Sequence, residues 1–289
     1  MLVNMQEILK DAEEKKYAIG CINTPNVEAI RAIIGAAEEL NVPIIIDHAE
    51  VHDPLIPIES IGPKMVEYAK LAKVPVCVHL DHGTDYNFIM RAIRCGFSSI
   101  MYDCSALPFE ENVEKLQVFT RVAHNLGLTV EAELGIMSST EEDSHGGKPL
   151  TREDIRKSFT DPKQAAEFAA RTGVDALAVC FGTMHGIYAE EPQLDIDRVK
   201  AIRAAMPKDC RVVMHGGSGV DADQVRAAIS AGCSKINYYS YMAKATSRHI
   251  YQKLNAVNGN AFYHEIQEEA YHFMKTYIKD VLTVFKNGK

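Results

Sequence analysis

The chain has 289 residues, of which 47% are hydrophobic and 24% charged, a composition typical of a folded globular protein with a large core. Its net charge of −8 and its lack of a basic cluster argue against a nucleic-acid partner. No stretch reaches the ~20 apolar residues of a membrane span, and the acidic N-terminal segment does not resemble a signal peptide. The seven cysteines include no CxxC pair, which favours free thiols and a cytoplasmic location.

Eight short runs rich in Val and Ile recur along the chain and are apolar on both faces, as buried parallel strands are. In chain order the predicted strands are Tyr17–Asn23, Val42–Asp47, Val74–Asp81, Ser98–Asp103, Thr129–Gly135, Ala176–Gly182, Arg211–Gly217 and Ser234–Ser240. Amphipathic patterns between them predict helices, among them Val27–Leu40, Phe109–Asn125, Pro162–Thr172 and Asp221–Ala231. This alternation predicts an α/β fold, a (β/α)8 TIM barrel that forms a single domain over residues 1–289. A doubly wound sheet is the rival, but no GxGxxG follows the first strand.

Two segments fall outside this alternation. The segment 136–160, after the fifth predicted strand, is long and polar, and loops of this length are usually functional or disordered. Its position predicts a mobile loop that closes over the barrel mouth as a lid, with a solvated loop of no function as the alternative. The C-terminal segment 260–285 has a helical apolar stripe, which predicts a helix that packs on the barrel or on another subunit.

Polar side chains lie at the ends of all eight predicted strands. In chain order they are Asn23, Asp47 with His48, Asp81 with His82, Asp103, Glu133, His185, His215 with Ser218, and Asn237. Active sites of TIM barrels lie where the carboxyl ends of the strands meet. The sequence therefore predicts a polar site at that end of the barrel.

Three of these ends carry a His-Gly pair. They are His82-Gly83, His185-Gly186 and His215-Gly216. Three imidazoles from separate strands match a zinc site that keeps its fourth position open for substrate or water. A single such histidine would more often be structural, but three at equivalent places favour a metal site.

The glycine-rich run from His215 to Gly219 predicts a phosphate site. Glycines let backbone N–H groups approach an anion, Ser218 adds a hydroxyl, and a helix is expected to begin near Asp221. Loops after the seventh and eighth strands of such barrels often bind phosphate. A tight turn without a ligand is the alternative.

Several motifs in this order resemble the class II, zinc-dependent fructose-bisphosphate aldolases and their tagatose-bisphosphate relatives. The motifs are HLDHG, DCSALPFEEN, VEAELG, VDALAVCFGTMHGIY, EPQLDIDR, HGGSGV and KIN. The resemblance runs from about Tyr17 to Ser240. It implies a lyase that reversibly cleaves a ketose phosphate to dihydroxyacetone phosphate and an aldehyde. It also implies a homodimer or homotetramer, catalytic Zn²⁺ and a monovalent cation, Na⁺ or K⁺, near the glycine loops.

The resemblance also implies roles for individual residues. His82, His185 and His215 would bind zinc, Glu133 would serve an alternative metal position, and Asp103 a second metal position. Asp81 would handle the proton of the C4 hydroxyl, and Glu142 would exchange the proton at C3 of the enediolate. The loop is one residue longer than in the family, so Glu141 competes with Glu142. Substrate or phosphate contacts are implied at Gly186, Gly216, Ser218, Asn237 and Ser240. Further candidates for substrate contact, which the resemblance does not supply, are Asn23, Gly217, Tyr238 and Tyr239.

The chain departs from the family where the far half of the sugar should bind. Tyr239 replaces a smaller or polar residue, Glu50 follows the second strand beside His48, and no basic residue can be placed for a second phosphate. We therefore expect a substrate other than fructose 1,6-bisphosphate, with His48 and Glu50 as specificity residues. The alternatives are a genuine fructose- or tagatose-bisphosphate aldolase and an inactive zinc-containing sugar-phosphate-binding protein. A Schiff-base aldolase is disfavoured, because Lys235 begins the eighth strand at the wrong end of the barrel.

Overall fold

The computed structural model describes residues 1–135, 156–188 and 190–289. The strands of these parts are β1 (Leu2–Val3), β2 (Ile19–Asn23), β3 (Ile44–Ala49), β4 (Val76–Gly83), β5 (Ser99–Tyr102), β6 (Thr129–Leu134), β7 (Ala176–Val179), β8 (Arg211–Met214) and β9 (Cys233–Tyr238). Strands β2 to β9 pair in parallel with their neighbours, and the pairings β2–β9 and β4–β5 close the ring. The predicted (β/α)8 TIM barrel and all eight of its strands are confirmed.

Helices surround this ring. They are α1 (Met5–Lys15), α2 (Val27–Leu40), α3 (Ile58–Leu71), α4 (Tyr86–Cys95), α5 (Phe109–Asn125), α6 (Pro162–Thr172), α7 (Ile196–Ala205), α8 (Ala222–Ala231), α9 (Ser240–Ala256) and α10 (Tyr263–Phe285). The side chains of Asp161 and Asp221 accept backbone N–H groups at the starts of α6 and α8, which satisfies donors that have no partner within the helix. No helix of the described ranges is both long and apolar enough to cross a membrane.

The amino-terminal end of the barrel is closed by apolar packing. Helix α1 buries Met5 and Leu9 completely, and they join a cluster with interior side chains such as Cys21, Ile45 and Val213. The interior farther up is polar, with Glu131 and Lys235 fully buried. A cavity lies at the other end of the barrel, where the carboxyl ends of the strands meet.

Two strands stop well before their predicted carboxyl ends. Strands β7 and β8 end at Val179 and Met214, three residues before the predicted ends. The backbone then turns: Gly216 has φ 64°, and a Cβ there would lie 2.3 Å from the carbonyl oxygen of Met184. Only glycine fits this left-handed, close approach, so the chain leaves the ladder and forms the cavity rim.

The C-terminal helix packs on the barrel rather than standing free. Helix α10 lies against α2, and Leu282 contacts the β2 backbone at Gly20, where an added Cβ would come within 2.9 Å of it. Residues 136–155, which include Glu141 and Glu142, lie outside the described residues. The end of the predicted lid is anchored, because Thr160 donates from its amide to the Cys180 oxygen and from its hydroxyl to the Leu134 oxygen.

Candidate metal and substrate site

The carboxyl ends of the barrel strands surround a cavity of about 640 Å³. Predicted site residues in its lining are Asn23, Glu50, Asp81, His82, Asp103, Glu133, His185, Gly186, Gly216, Ser218, Asn237, Tyr238, Tyr239 and Ser240. His215 lies fully buried beneath them. The barrel thus brings together most of the side chains that the strand ends and the family resemblance selected.

The three histidines meet at this mouth. One ring nitrogen from each of His82, His185 and His215 lies within 4.8 Å of the others. His82 Nε2 and His215 Nδ1 are buried and have no hydrogen-bond partner among the residues of known placement. A buried polar atom without a partner is costly, and three converging imidazole nitrogens suit a zinc-like divalent cation. The donor set therefore fits a metal.

Local backbone geometry aims the first of these histidines. His82 has φ 48°, in the left-handed region that non-glycine residues rarely adopt, and the β4–β5 register shifts between Leu80 and Gly83. Such a bulge redirects a side chain at the end of a strand. The strain is offset by a hydrogen bond between His82 Nδ1 and Asp103 Oδ2, which are 2.7 Å apart.

A carboxylate also holds the third histidine. His215 Nε2 lies 2.8 Å from Glu131 Oε1, and an ionised carboxylate only accepts hydrogen bonds, so the ring donates from Nε2. That tautomer leaves Nδ1 for a metal, as is usual for metal-bound histidines. Glu131 is not among the site residues predicted from the sequence. It could have been found from the alternation of side chains along β6, because residues two apart on a strand face the same side and Glu131 therefore points inward with Glu133.

The alternative metal positions lie beside the three histidines. Ligand atoms of His82, Asp103 and Glu133 form a second group within 4.8 Å. Glu133 Oε2 is 3.5 Å from His215 Nδ1, so the two groups are adjacent. Burial opposes ionisation of Asp103, but its hydrogen bond with His82 holds the pKa of that carboxyl below its ordinary value. These acids would add negative charge around a bound cation.

Asp81 is placed for proton transfer. It is buried in the cavity wall, and Asn237 Nδ2 donates to its Oδ1 at 3.0 Å. Burial raises the pKa of Asp81, but the nearby His82 and Lys235 outweigh burial and hold the pKa below its ordinary value. Asp81 is therefore ionised and able to accept a proton.

Gly186, Gly216, Ser218 and Ser240 form a polar part of the cavity wall beside the histidines, which we call the cradle. Gly186 and Gly216 line the cavity with positive φ, and Ser240 is the first residue of α9, whose N-terminal end favours negative charge. The Ser218 hydroxyl accepts a hydrogen bond from the Tyr239 amide at 2.9 Å. The Tyr238 hydroxyl lies 3.0 Å from that of Tyr277, which commits this ring to α10.

The substrate contact expected at Gly217 is corrected. The Gly217 amide donates to the Asn237 oxygen at 3.0 Å, and Gly217 is not in the cavity lining. A Cβ there would lie 2.4 Å from Ile236 Cγ2. Gly217 therefore lets the loop that follows β8 pack closely against strand β9, and its N–H is already bonded to the Asn237 oxygen.

One part of the cavity wall is formed by Glu50, His52 and Tyr239. Glu50 Oε2 accepts from the Thr84 amide at 2.5 Å and the Thr84 hydroxyl at 3.1 Å. The His52 and Tyr239 rings meet edge to face, with centroids 5.3 Å apart. The wall is therefore ordered, partly aromatic and acidic.

The expectation for His48 is also corrected. His48 is fully buried, stacks on Phe88 of α4 with centroids 6.3 Å apart, and is absent from the cavity lining. Successive side chains of a strand point to opposite faces. Since Asp47 points into the barrel, where its Oδ2 lies 3.2 Å from Cys21 Sγ, His48 points outward and makes no direct substrate contact.

Comparison with known proteins places these features in a family. The family model described as fructose-bisphosphate aldolase class-II matches residues 3–289. The chain is 38% identical over 247 residues to YdjI of Escherichia coli (strain K12), covering 85% of each protein. It is 38% identical over 235 residues to the sulfofructosephosphate aldolase of Alkalicoccus urumqiensis, covering 81% of this chain and 79% of that protein. It is also 38% identical over 242 residues to the fructose-bisphosphate aldolase of Geobacillus stearothermophilus, covering 82% and 80%.

Solved structures agree. The X-ray structure of the YdjI aldolase from Escherichia coli K12 matches with a TM-score of 0.86 and 34% identity, over 99% of this chain and 97% of that one. A fructose-1,6-bisphosphate aldolase structure from Coccidioides immitis matches with a TM-score of 0.83 and 27% identity, over 97% and 95%.

Proposed function

The chain belongs to the class II fructose-bisphosphate aldolase family, and we propose that it catalyses the zinc-dependent, reversible cleavage of a ketose phosphate to dihydroxyacetone phosphate and an aldehyde. The observation that carries the proposal is the convergence of His82, His185 and His215 within 4.8 Å at a cavity that Asp81 also lines. When bound, zinc supplies a Lewis acid that polarises the ketone and stabilises negative charge developing on its oxygen.

The protein's own residues move the protons. In the cleavage direction the C3–C4 bond breaks, Asp81 accepts the proton of the C4 hydroxyl, and the electron pair of the broken bond passes toward C3. The ionised state of Asp81 suits it to act as this base. Asn237 holds Asp81 by donating to one oxygen and leaves the other for the substrate. We assign the return of a proton to C3 to Glu142, with Glu141 as its competitor.

The phosphate of the ketose binds in the cradle of Gly186, Gly216, Ser218 and Ser240. Binding remote from the broken bond positions the reacting carbons and contributes energy to catalysis. The homodimer or homotetramer and the monovalent cation near these loops stay predictions of the family resemblance.

We further propose a ketose 1-phosphate without a second phosphate. None of the described residues that line the cavity is lysine or arginine, whereas Glu50, Asp81, Asp103 and Glu133 are acidic. Tyr239 adds bulk and Glu50 adds negative charge to the part of the cavity wall that they form with His52, and both changes disfavour a second phosphate there. Family membership does not choose the substrate, because relatives of equal identity are named for different sugars.

A genuine bisphosphate aldolase is the second candidate. It is favoured by the 38% identity to the Geobacillus stearothermophilus fructose-bisphosphate aldolase. The two candidates differ in one measurable quantity, the ratio of kcat/KM for a ketose 1-phosphate to kcat/KM for its 1,6-bisphosphate.

The experiment is cleavage of a panel of ketose 1-phosphates and 1,6-bisphosphates by the zinc-loaded enzyme, coupled to detection of dihydroxyacetone phosphate, with a chelated control. Chelator-sensitive cleavage of monophosphates in preference to bisphosphates is the expected result. Preference for fructose 1,6-bisphosphate or tagatose 1,6-bisphosphate would establish the second candidate. Zinc binding without cleavage of any substrate would favour a sugar-phosphate-binding protein and contradict the proposal.

A further inference from the structure

One buried lysine joins the two halves of the site. Lys235 is completely buried, and its Nζ lies 2.8 Å from Glu131 Oε2 and 2.8 Å from Asn237 Oδ1. Glu131 contacts the ring of His215, and Asn237 donates to Asp81. An unbroken chain of hydrogen bonds therefore runs from a candidate metal ligand to the candidate base, with Lys235 at its centre.

The direction of each hydrogen bond follows from the chemistry of the donors. An ammonium group only donates, so Lys235 binds the carbonyl oxygen of the Asn237 amide and leaves its NH₂ to face Asp81. The flipped amide would place its oxygen against the Asp81 carboxylate, where two acceptors would repel. Lys235 thus selects the orientation of Asn237 that donates to Asp81.

The second contact of Lys235 acts on the metal side. Glu131 is also fully buried, and its Oε1 contacts both Lys235 Nζ, at 3.0 Å, and His215 Nε2, at 2.8 Å. A buried carboxylate requires a charged partner. Lys235 meets this need and leaves Glu131 in place to fix the tautomer of His215.

Lys235 has no access to the substrate. It is absent from the cavity lining, and the nearby carboxylates of Glu131 and Asp81 outweigh its burial and raise its pKa above the ordinary value. A nucleophilic amine must be neutral and exposed to a carbonyl, so these features do not fit Schiff-base chemistry. Whatever Lys235 does for the reaction, it does through its neighbours.

We propose that Lys235 is a positioning residue that fixes Asp81 through Asn237 while it holds the metal ligand His215 through Glu131. The assignment to catalysis rests on the proposed function. A purely structural role is the competing explanation, in which Lys235 only neutralises the buried charge of Glu131. The two explanations differ in what happens when both charges are removed together.

Lys235→Met alone leaves Glu131 buried without its cation, and this variant is expected to fold poorly. The informative variant is Lys235→Met/Glu131→Gln, because the pair becomes neutral and the new glutamine side chain still offers an oxygen to His215. If Lys235 positions Asn237, the double variant folds and binds zinc, but its kcat falls about 10–100-fold at saturating zinc, with a smaller change in KM. Recovery of kcat to within about threefold of wild type would overturn the proposal and leave Lys235 a charge-balancing role only.

A mutant cycle shows whether the effect passes through Asn237. Asn237→Ala is combined with Lys235→Met/Glu131→Gln, and kcat is compared across the four proteins. In the Asn237→Ala background, the same two substitutions are expected to lower kcat by a clearly smaller factor than in wild type, since the path from Lys235 to Asp81 is already gone and only the contact with His215 is still affected. Fully multiplicative losses would mean that Lys235 acts independently of Asn237 and would overturn the proposal.

Failure of the proposed function is separable from failure of this inference. If wild type cleaves no substrate of the panel, the proposed function fails, and crystal structures of wild type and the double variant then decide the inference. The inference expects Asn237 Nδ2 to leave Asp81 Oδ1 in the double variant. An unchanged 3.0 Å contact in that variant would overturn it.

Discussion

The close approach at Gly216 allows a sharp test of how the cavity rim is built. Gly216→Ala adds a Cβ that would lie 2.3 Å from the carbonyl oxygen and 2.8 Å from the carbonyl carbon of Met184. Both atoms belong to backbone, which cannot rotate away. The residue is also left-handed, with φ 64°. The substitution therefore combines two separate costs, one conformational and one steric.

Each cost has a magnitude. A side chain in the left-handed region costs about 1–2 kcal/mol, and forcing atoms into a packed region typically costs about 1–3 kcal/mol. We expect Gly216→Ala to lower the free energy of unfolding by about 2–5 kcal/mol. Gly127→Ala is the matched control, because Gly127 has φ 77° and nothing within 4 Å of its added Cβ. It should show the conformational cost alone.

The assay is denaturant unfolding of both variants and wild type at fixed zinc concentration, followed by circular dichroism. Gly216→Ala is expected to be about 1–3 kcal/mol less stable than Gly127→Ala. Because Gly216 lines the cavity, its variant should also raise KM for the phosphorylated substrate, whereas Gly127→Ala should not. Equal destabilisation of the two variants would refute the steric reasoning.

The remaining predictions concern a buried histidine, the acidic wall and the metal. Burial, reinforced by His52, lowers the pKa of His48 from 6.5 to about 4, so the neutral buried ring contributes stability above pH 6.5 that is lost as pH falls toward 4. In a pH titration, His48→Leu should therefore flatten the dependence of the free energy of unfolding on pH across this window, and it should leave kcat/KM within about threefold of wild type. A larger loss of kcat/KM would restore a substrate role for His48. Glu50→Gln should raise kcat/KM for 1,6-bisphosphates relative to 1-phosphates by up to about tenfold, or ~1.4 kcal/mol. The control is Glu59→Gln, which removes an acid that is paired with Arg91 outside the cavity and should not change this ratio. An equal response in the two variants would exclude a local charge effect. Removal of zinc by a chelator should lower the free energy of unfolding by about 2.7 kcal/mol, relative to protein held at a zinc concentration 100 times its Kd. Calorimetry measures this difference, which should be much smaller in His82→Ala.

The sequence predicts the barrel and the meeting of three histidines at its mouth because both depend on local pattern. Apolar runs identify each strand without knowledge of its neighbours, and parallel strands bring their carboxyl ends to one side. His82, His185 and His215 could therefore be grouped before any contact was known. Helix bounds such as Val27–Leu40 were equally local, since capping and periodicity lie within the segment.

Features that depend on register could not be predicted in this way. Lys235 and Glu131 are 104 positions apart and meet only because the ring closes. The sequence placed His48 at a strand end, but only the pairing of β3 shows that Asp47 faces inward and His48 outward. Gly217 has the composition of a phosphate loop, yet its amide is used by Asn237 across the β8–β9 junction.

The zinc dependence of ketose phosphate cleavage is tested directly by reconstituting the metal-free enzyme. Turnover of a cleaved ketose 1-phosphate is measured as zinc is added in steps to the apoenzyme, in parallel with His185→Ala. Turnover is expected to rise in proportion to zinc up to about one equivalent per chain, and His185→Ala is expected to stay inactive. Turnover that is unaffected by zinc removal, or that survives loss of His185, would contradict the proposed zinc dependence.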